Sequence, residues 1–157
     1  MATMRGMEGN LIHMLDNLVA LDFDAIDAYE AAIERLKEAG DRDQMHSFML
    51  DHIRHTTEVG AVVRQLGGTP PVTGDFKRVL TKGKVVLAGL IDDRAVLFAM
   101  KTNETDTNTA YERATRHKGL TPEIKMLLEK NLSDERRHKA WIEQRLEAFA
   151  QQAQRSQ

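Results

Sequence analysis

The 157-residue sequence contains no cysteine. A disulfide framework and a thiolate metal site are therefore excluded, the redox compartment is left open, and any metal must rest on histidine, carboxylate and water ligands. Charge of one sign is also lacking: 22 basic and 24 acidic residues are well mixed, with a net charge of -2. That balance gives no electrostatic footprint for nucleic acid or for an anionic membrane surface. Long hydrophobic runs are missing, and the most apolar stretch, "VVLAGLI" at 85–91, falls far short of the roughly 20 residues needed to cross a bilayer. The N-terminal "MATMRGMEGN" has no hydrophobic region of the kind a secretory signal needs. These absences predict a cytoplasmic protein that binds neither nucleic acid nor membrane. There is no glycine-rich phosphate loop, no Gly-x-Ser-x-Gly elbow and no nucleophile to activate.

What is present is helical periodicity. The length suits one domain with a real core. Leu11, Leu15, Leu18, Asp22, Ile26, Tyr29, Ile33 and Leu36 recur at steps of three and four, the seam of a long bundle helix, and "EAGDRDQ" breaks the pattern at Gly40. A second stripe, Met45, Phe48, His52, His55, Val59, Val62 and Leu66, ends at Gly67, Gly68, Pro70 and Pro71. A third runs through Leu97, Met100, Glu104, Thr107, Tyr111 and Ala114 to Gly119. Thr121 and Pro122 open the fourth, through Leu128, Glu135, His138, Ile142, Leu146 and Phe149. The prediction is an all-α four-helix bundle over residues 10–150 made of two helical hairpins, between a flexible 1–9 and a disordered tail at 151–157. Residues 69–91 form a crossover that can include a short helix, long enough to return along a helix of about 40 Å and so make the second and third helices parallel.

The two hairpins resemble each other. Asp24, Ala28, Tyr29, Glu30 and Ala32 align with Asp106, Ala110, Tyr111, Glu112 and Ala114, and "LDHIRHTTE" repeats Asp51, Arg54 and His55 as the Asp134, Arg137 and His138 of "SDERRHKAW". Such an offset suggests an internal duplication with a pseudo-twofold axis through the bundle.

Each apolar stripe is interrupted near its middle, by Asp22 on the first, His52 and His55 on the second, Glu104 on the third, and Glu135 and His138 on the fourth. Counted from the turns, all six share one depth, and residues three apart lie on one helix face, so Glu135 and His138 converge. Six ionisable side chains in one core layer need mutual pairing or a cation, because a lone buried charge costs several kcal/mol. A divalent metal meets that need; in the alternative, Arg54 and Arg137 pair with the layer in a metal-free bundle that acts as a structural or protein-interaction module in a stress response. Asp24, Asp27, Glu30 and Glu34 read as a solvated face, and His13, His46 and His117 as surface residues off the layer. Trp141 is expected to pack on the crossover.

On these residues the chain resembles the ferritin-like four-helix bundles, specifically a small bacterial family of unknown function. That superfamily places a carboxylate on helices one and three and Glu-x-x-His on helices two and four. Glu104 and Glu135-Arg136-Arg137-His138 fit the second half, while Asp22 and His55 fit the first; Tyr29 and Tyr111 each follow the helix carboxylate by seven residues. The resemblance implies a metal site of Asp22, His52, His55, Glu104, Glu135 and His138, with Tyr29 and Tyr111 as supporting partners. The metal it implies is iron, di-iron or mononuclear, with zinc or manganese as alternatives. It also implies oxygen or peroxide redox chemistry of a ferroxidase or peroxidase kind. A homodimer is the assembly compatible with it, whereas the lack of a fifth helix argues against a storage cage. Two departures stand out. His52 occupies the place of the family's first helix-two glutamate, and Asp22 is one methylene shorter than the usual ligand. Only three carboxylates remain, and imidazole, donating through one nitrogen at a time, removes a bridge between two metals.

Overall fold

The computed structural model describes residues 2–73, 87, 89–90 and 92–157, with side chains from residue 10 onward. Its elements are α1 (Ala2–Arg35), α2 (Ala39–Gln65), α3 (Asp93–Ala114) and α4 (Pro122–Arg155), with no strand among the described residues. Among them, no helix is long and apolar enough to cross a membrane.

Local chemistry sets most boundaries. Asp92 caps α3 by accepting from the Ala95 N–H at 2.8 Å, and Thr121 caps α4 through Ile124 N–H with Pro122 in the first turn. At the end of α2, Gly67 adopts φ +87, with Gly67 N–H bonded to Arg64 O and Gly68 N–H to Val63 O. This is a Schellman closure, which needs a residue free to enter the left-handed region. The first turn lies earlier than the periodicity suggests: it spans Leu36–Glu38, and Gly40 sits inside the first turn of α2. Buried Asp93 fixes it there, accepting from Lys37 N–H at 2.9 and 3.1 Å and from Glu38 N–H at 3.0 Å, so a side chain of α3 satisfies the amides of the turn that leads into α2. The outer helices also run further than the expected 10–150, since α1 starts at Ala2 and α4 continues to Arg155. Good helix formers such as Glu147, Ala148, Gln151 and Ala153 carry that last stretch.

The same contact sets the topology. The end of α1 meets the start of α3, so α1 and α3 are antiparallel, and the hairpin makes α2 run parallel to α3. The end of α2 and the start of α3 therefore lie at opposite ends of the bundle. Of the crossover expected within 69–91, residues 74–86, 88 and 91 lie outside the described residues, and with them the short helix; Leu87 is buried in the same apolar cluster as Met100 and Ile142. Trp141 stands edge-on to Phe48, with ring centroids 5.8 Å apart.

Two apolar clusters fill the bundle interior. One, around Tyr29, Leu36, Met45, Phe48, Leu97 and Ile142, lies toward the α1–α2 turn; the other, around Leu15, Leu18, Val59, Val63, Tyr111 and Leu128, fills the opposite end. Each fully buried Leu or Phe contributes about 1.5–3 kcal/mol. Between the clusters lies a layer of buried ionisable groups.

Candidate metal centre

All six residues that interrupt the stripes are buried: Asp22, His52, His55, Glu104, Glu135 and His138 each have a relative exposure of 0%. They come from four helices to one point. Ligand-capable atoms of Asp22, His52, His55 and Glu135 lie within 4.8 Å of one another, as do those of His52, Glu104, Glu135 and His138, so the two tetrads share His52 and Glu135.

Contacts within the layer follow the pseudo-twofold. Tyr29 of α1 donates its hydroxyl to Glu104 Oε1 of α3, and Tyr111 of α3 donates to Asp22 Oδ2 of α1 at 2.6 Å. Each tyrosine thus serves the opposite hairpin. Burial and the adjoining carboxylate, Glu104 for one and Asp22 for the other, push both phenols well above their ordinary pKa and keep them as donors. His52 Nδ1 lies 2.8 Å from Asp22 Oδ1, and its Nε2 lies 3.4 Å from Glu104 Oε1. Asn108 ties α3 to α4, donating to the carbonyls of Glu104 at 2.7 Å and Glu135 at 3.0 Å.

Two residues absent from the expected set complete the arrangement. Asp51 Oδ2 lies 2.9 Å from His138 Nε2, and Asp134 Oδ2 lies 3.1 Å from His55 Nε2, each across the α2–α4 interface. An Nε2–H pointing at a carboxylate leaves Nδ1 facing the layer, and such outer partners fix ring orientation and tautomer. Arg137 bonds Asp51 at 2.7 Å and Asp134 at 3.1 Å, while Arg54 bonds Asp134 closely and Asp51 at 3.3 Å. The arginines are thereby engaged by the outer aspartates and make no ion pair with Asp22, Glu104 or Glu135 among the described contacts. The repeated Asp-x-x-Arg-His of the sequence was the signal for this quartet, but Asp51 and Asp134 fall one position off the seam.

Without a metal, protons on the histidines balance the carboxylates of the layer. For His52, burial, which alone would lower its pKa, is outweighed by the carboxylates of Glu135, Asp22 and Glu104, so the ring titrates well above its ordinary value. The same balance, through Asp134, Asp22 and Glu135, raises His55 to about 10, and through Asp51 and Glu104 it raises His138. Burial would lift Glu104 and Asp22, but neighbouring histidines hold both below the usual carboxylate range. Glu135 is the exception. Burial raises it, and His52 and His55 do not compensate.

The fit to a cation is tested by atoms left without partners. Both carboxylate oxygens of Glu135 and Nδ1 of His138 are buried and make no hydrogen bond, although Glu135 Oε1 sits 3.2 Å from His55 Nδ1 outside hydrogen-bond geometry. Buried polar atoms are nearly always satisfied, so three orphans converging in one layer require explanation. Nitrogen and carboxylate donors of this kind suit divalent first-row metals, and a metal displaces the protons that otherwise hold such a layer together.

Comparison with known proteins agrees with this architecture. The chain is similar in structure to a ferritin-like, diiron-carboxylate protein from Bacillus anthracis, with a TM-score of 0.75, 20% identity, and coverage of 89% of this chain and 97% of that one. A dodecameric thioferritin, the bacterioferritin-related protein of Bacteroides fragilis, superposes with a TM-score of 0.81 at 15% identity, covering 94% and 90%. A conserved hypothetical protein, rv2844, from Mycobacterium tuberculosis gives 0.74 at 16%, covering 90% and 94%. At these identities the likeness shows the fold, a ferritin-like bundle. No curated protein matches the sequence. The model described as "Domain of unknown function (DUF2383)" matches residues 10–117, which include Asp22, His52, His55 and Glu104, and the chain belongs to that family.

Proposed function

We propose that this protein binds a divalent transition metal, iron in the first instance, in the buried layer between its hairpins. What supports this reading is the set of buried atoms that make no hydrogen bond, both Glu135 oxygens and His138 Nδ1, beside the four further donor residues Asp22, His52, His55 and Glu104. Asp22, His52, His55, Glu104, Glu135 and His138 are the donors available. Iron, when bound, supplies one-electron chemistry toward oxygen or peroxide; the ferritin-like fold, shared with the diiron-carboxylate protein of Bacillus anthracis, supports that choice of metal. The chain's own residues do the rest. Asp51 and Asp134 hold His138 and His55 with Nδ1 inward, Tyr29 and Tyr111 orient the carboxylates of Glu104 and Asp22, and the flanking apolar clusters exclude bulk water. The metal-free alternative relied on Arg54 and Arg137 as counter-charges, and both pair instead with Asp51 and Asp134.

The test is elemental analysis of protein purified without chelator and after anaerobic Fe(II) or Zn(II) loading, with Glu135→Ala in parallel. Metal retained by the wild type and lost in the variant is the expected result. Wild-type protein that stays free of metal after loading refutes the reading. If metal binds but Fe(II) is oxidised no faster than in buffer, the redox part alone is wrong.

A further inference from the structure

Resting on that reading, we infer that the layer takes one divalent ion rather than two, held by His52 Nε2, Glu104, Glu135 and His138 Nδ1, with Asp22 and His55 outside its coordination.

The asymmetry starts at His52. Its pseudo-twofold counterpart is Glu135, so one hairpin offers an imidazole where the other offers a carboxylate. His52 Nδ1 is 2.8 Å from Asp22 Oδ1, a hydrogen bond in which the ring nitrogen donates to the carboxylate. A neutral ring with its proton on Nδ1 presents a lone pair only at Nε2, which faces Glu104 at 3.4 Å. The tetrad of Asp22, His52, His55 and Glu135 thereby loses His52 as a ligand. Asp22 Oδ1 lies 3.4 Å from His55 Nδ1 as well, and its Oδ2 accepts from Tyr111 at 2.6 Å as Glu104 Oε1 accepts from Tyr29, so it is the direction of the His52 ring that separates the two tetrads.

The other tetrad keeps both of its nitrogens: His52 Nε2 faces it, and His138 Nδ1 makes no hydrogen bond while Asp51 holds its Nε2 at 2.9 Å; Glu135, common to both tetrads, has two oxygens without a hydrogen bond. Since the tetrads share His52 and Glu135, they cannot be filled independently. Charge points the same way. Two divalent ions would bring four positive charges against the three carboxylates of Asp22, Glu104 and Glu135, whereas one ion is balanced by Glu104 and Glu135 alone. Two imidazole nitrogens and two carboxylates form a donor set that zinc, cobalt and iron all accept.

Calorimetric and spectroscopic titration of the full chain with Co(II) and Zn(II), and anaerobically with Fe(II), tests this, with helix content of each variant checked by circular dichroism. One equivalent is expected, with visible Co(II) bands of a low-coordinate site. Glu104→Gln and His138→Gln abolish those bands. Asp22→Asn leaves their positions unchanged, keeps the stoichiometry at one, and weakens affinity by no more than the roughly 10–100-fold typical of an outer partner. Two equivalents, or loss of the Co(II) bands in Asp22→Asn, overturns the one-ion assignment while leaving metal binding intact. No uptake of any of the three metals overturns both.

Discussion

Replacing Asp51 with asparagine keeps the shape of the side chain and removes its charge, so it isolates what the outer carboxylate does for the buried histidine. In the wild type, Asp51 accepts from His138 Nε2 at 2.9 Å and from Arg137 at 2.7 Å. The two bonds do not weigh equally. His138 is fully buried, whereas the Arg137 side chain is 51% exposed and screened by solvent. A hydrogen bond to a charged group contributes about 1.5–3 kcal/mol against about 0.5–1.5 kcal/mol for a neutral one, and the exposed pair adds well under 1 kcal/mol. Asp51→Asn therefore destabilises the metal-free protein by about 1–2 kcal/mol at neutral pH, which for a chain of this size lowers Tm by roughly 2–8 °C. The effect has a defined pH dependence. Although burial opposes it, His138 and Arg137 hold the Asp51 carboxyl below the usual carboxylate range, so the folded state binds fewer protons than the unfolded state. The wild-type advantage is full above about pH 5 and is lost as pH falls below about 4 toward the lowered folded-state value. Urea unfolding from pH 7 down to pH 3, with chelator present, measures it. In a His138→Gln background, Asp51→Asn should cost only the small arginine part. Equal stability of wild type and variant at pH 7, or a gap that does not narrow in acid, would show that the Asp51 charge does not hold His138.

Perturbing single groups elsewhere gives further defined outcomes. His55 is raised to about 10, so in the metal-free protein its contribution is fully present below about pH 6.5 and is lost as pH rises through 10; Tm measured across pH 7–10.5 should fall accordingly, and less so in His55→Gln. Tyr111→Phe deprives the buried Asp22 carboxylate of a donor at 2.6 Å and costs about 1.5–3 kcal/mol in denaturant unfolding. Gly67→Ala forces a Cβ into φ +87 and destabilises by about 1–2 kcal/mol, whereas Gly40→Ala, inside α2 with nothing within 4 Å of its Cβ position, stabilises by up to about 1 kcal/mol.

Much of the fold is legible in the sequence because a bundle needs little beyond period and punctuation. Leu15, Leu18, Tyr29 and Leu36 lie on the first stripe and are buried. Ile26 and Ile33, on the same stripe, are only half-buried, while Ala25, Ala28 and Ala32 are buried. The reason is that α1 packs against both α2 and α3, which widens its buried face and puts small residues where helices approach closely. The turn before α2 misleads a sequence reader, since Gly40 looks like a stop but the stop is made by Asp93 from a distant helix. The layer is legible as interruptions of four stripes, and all six interrupting residues do meet in the structure. What the stripes conceal is the support around it. Asp51 and Asp134 lie one residue off the seam, and their contacts to His138 and His55 run between helices, so no spacing within one helix announces them.

If a metal occupies the polar layer, anomalous diffraction from crystals of metal-loaded protein, at the absorption edge of the loaded metal, will locate it there. A peak bonded to Glu135 and His138, inside the bundle and missing from crystals of Glu135→Ala, is the predicted result. Peaks confined to surface sites such as His13 or His46, with none between the helices, would contradict it.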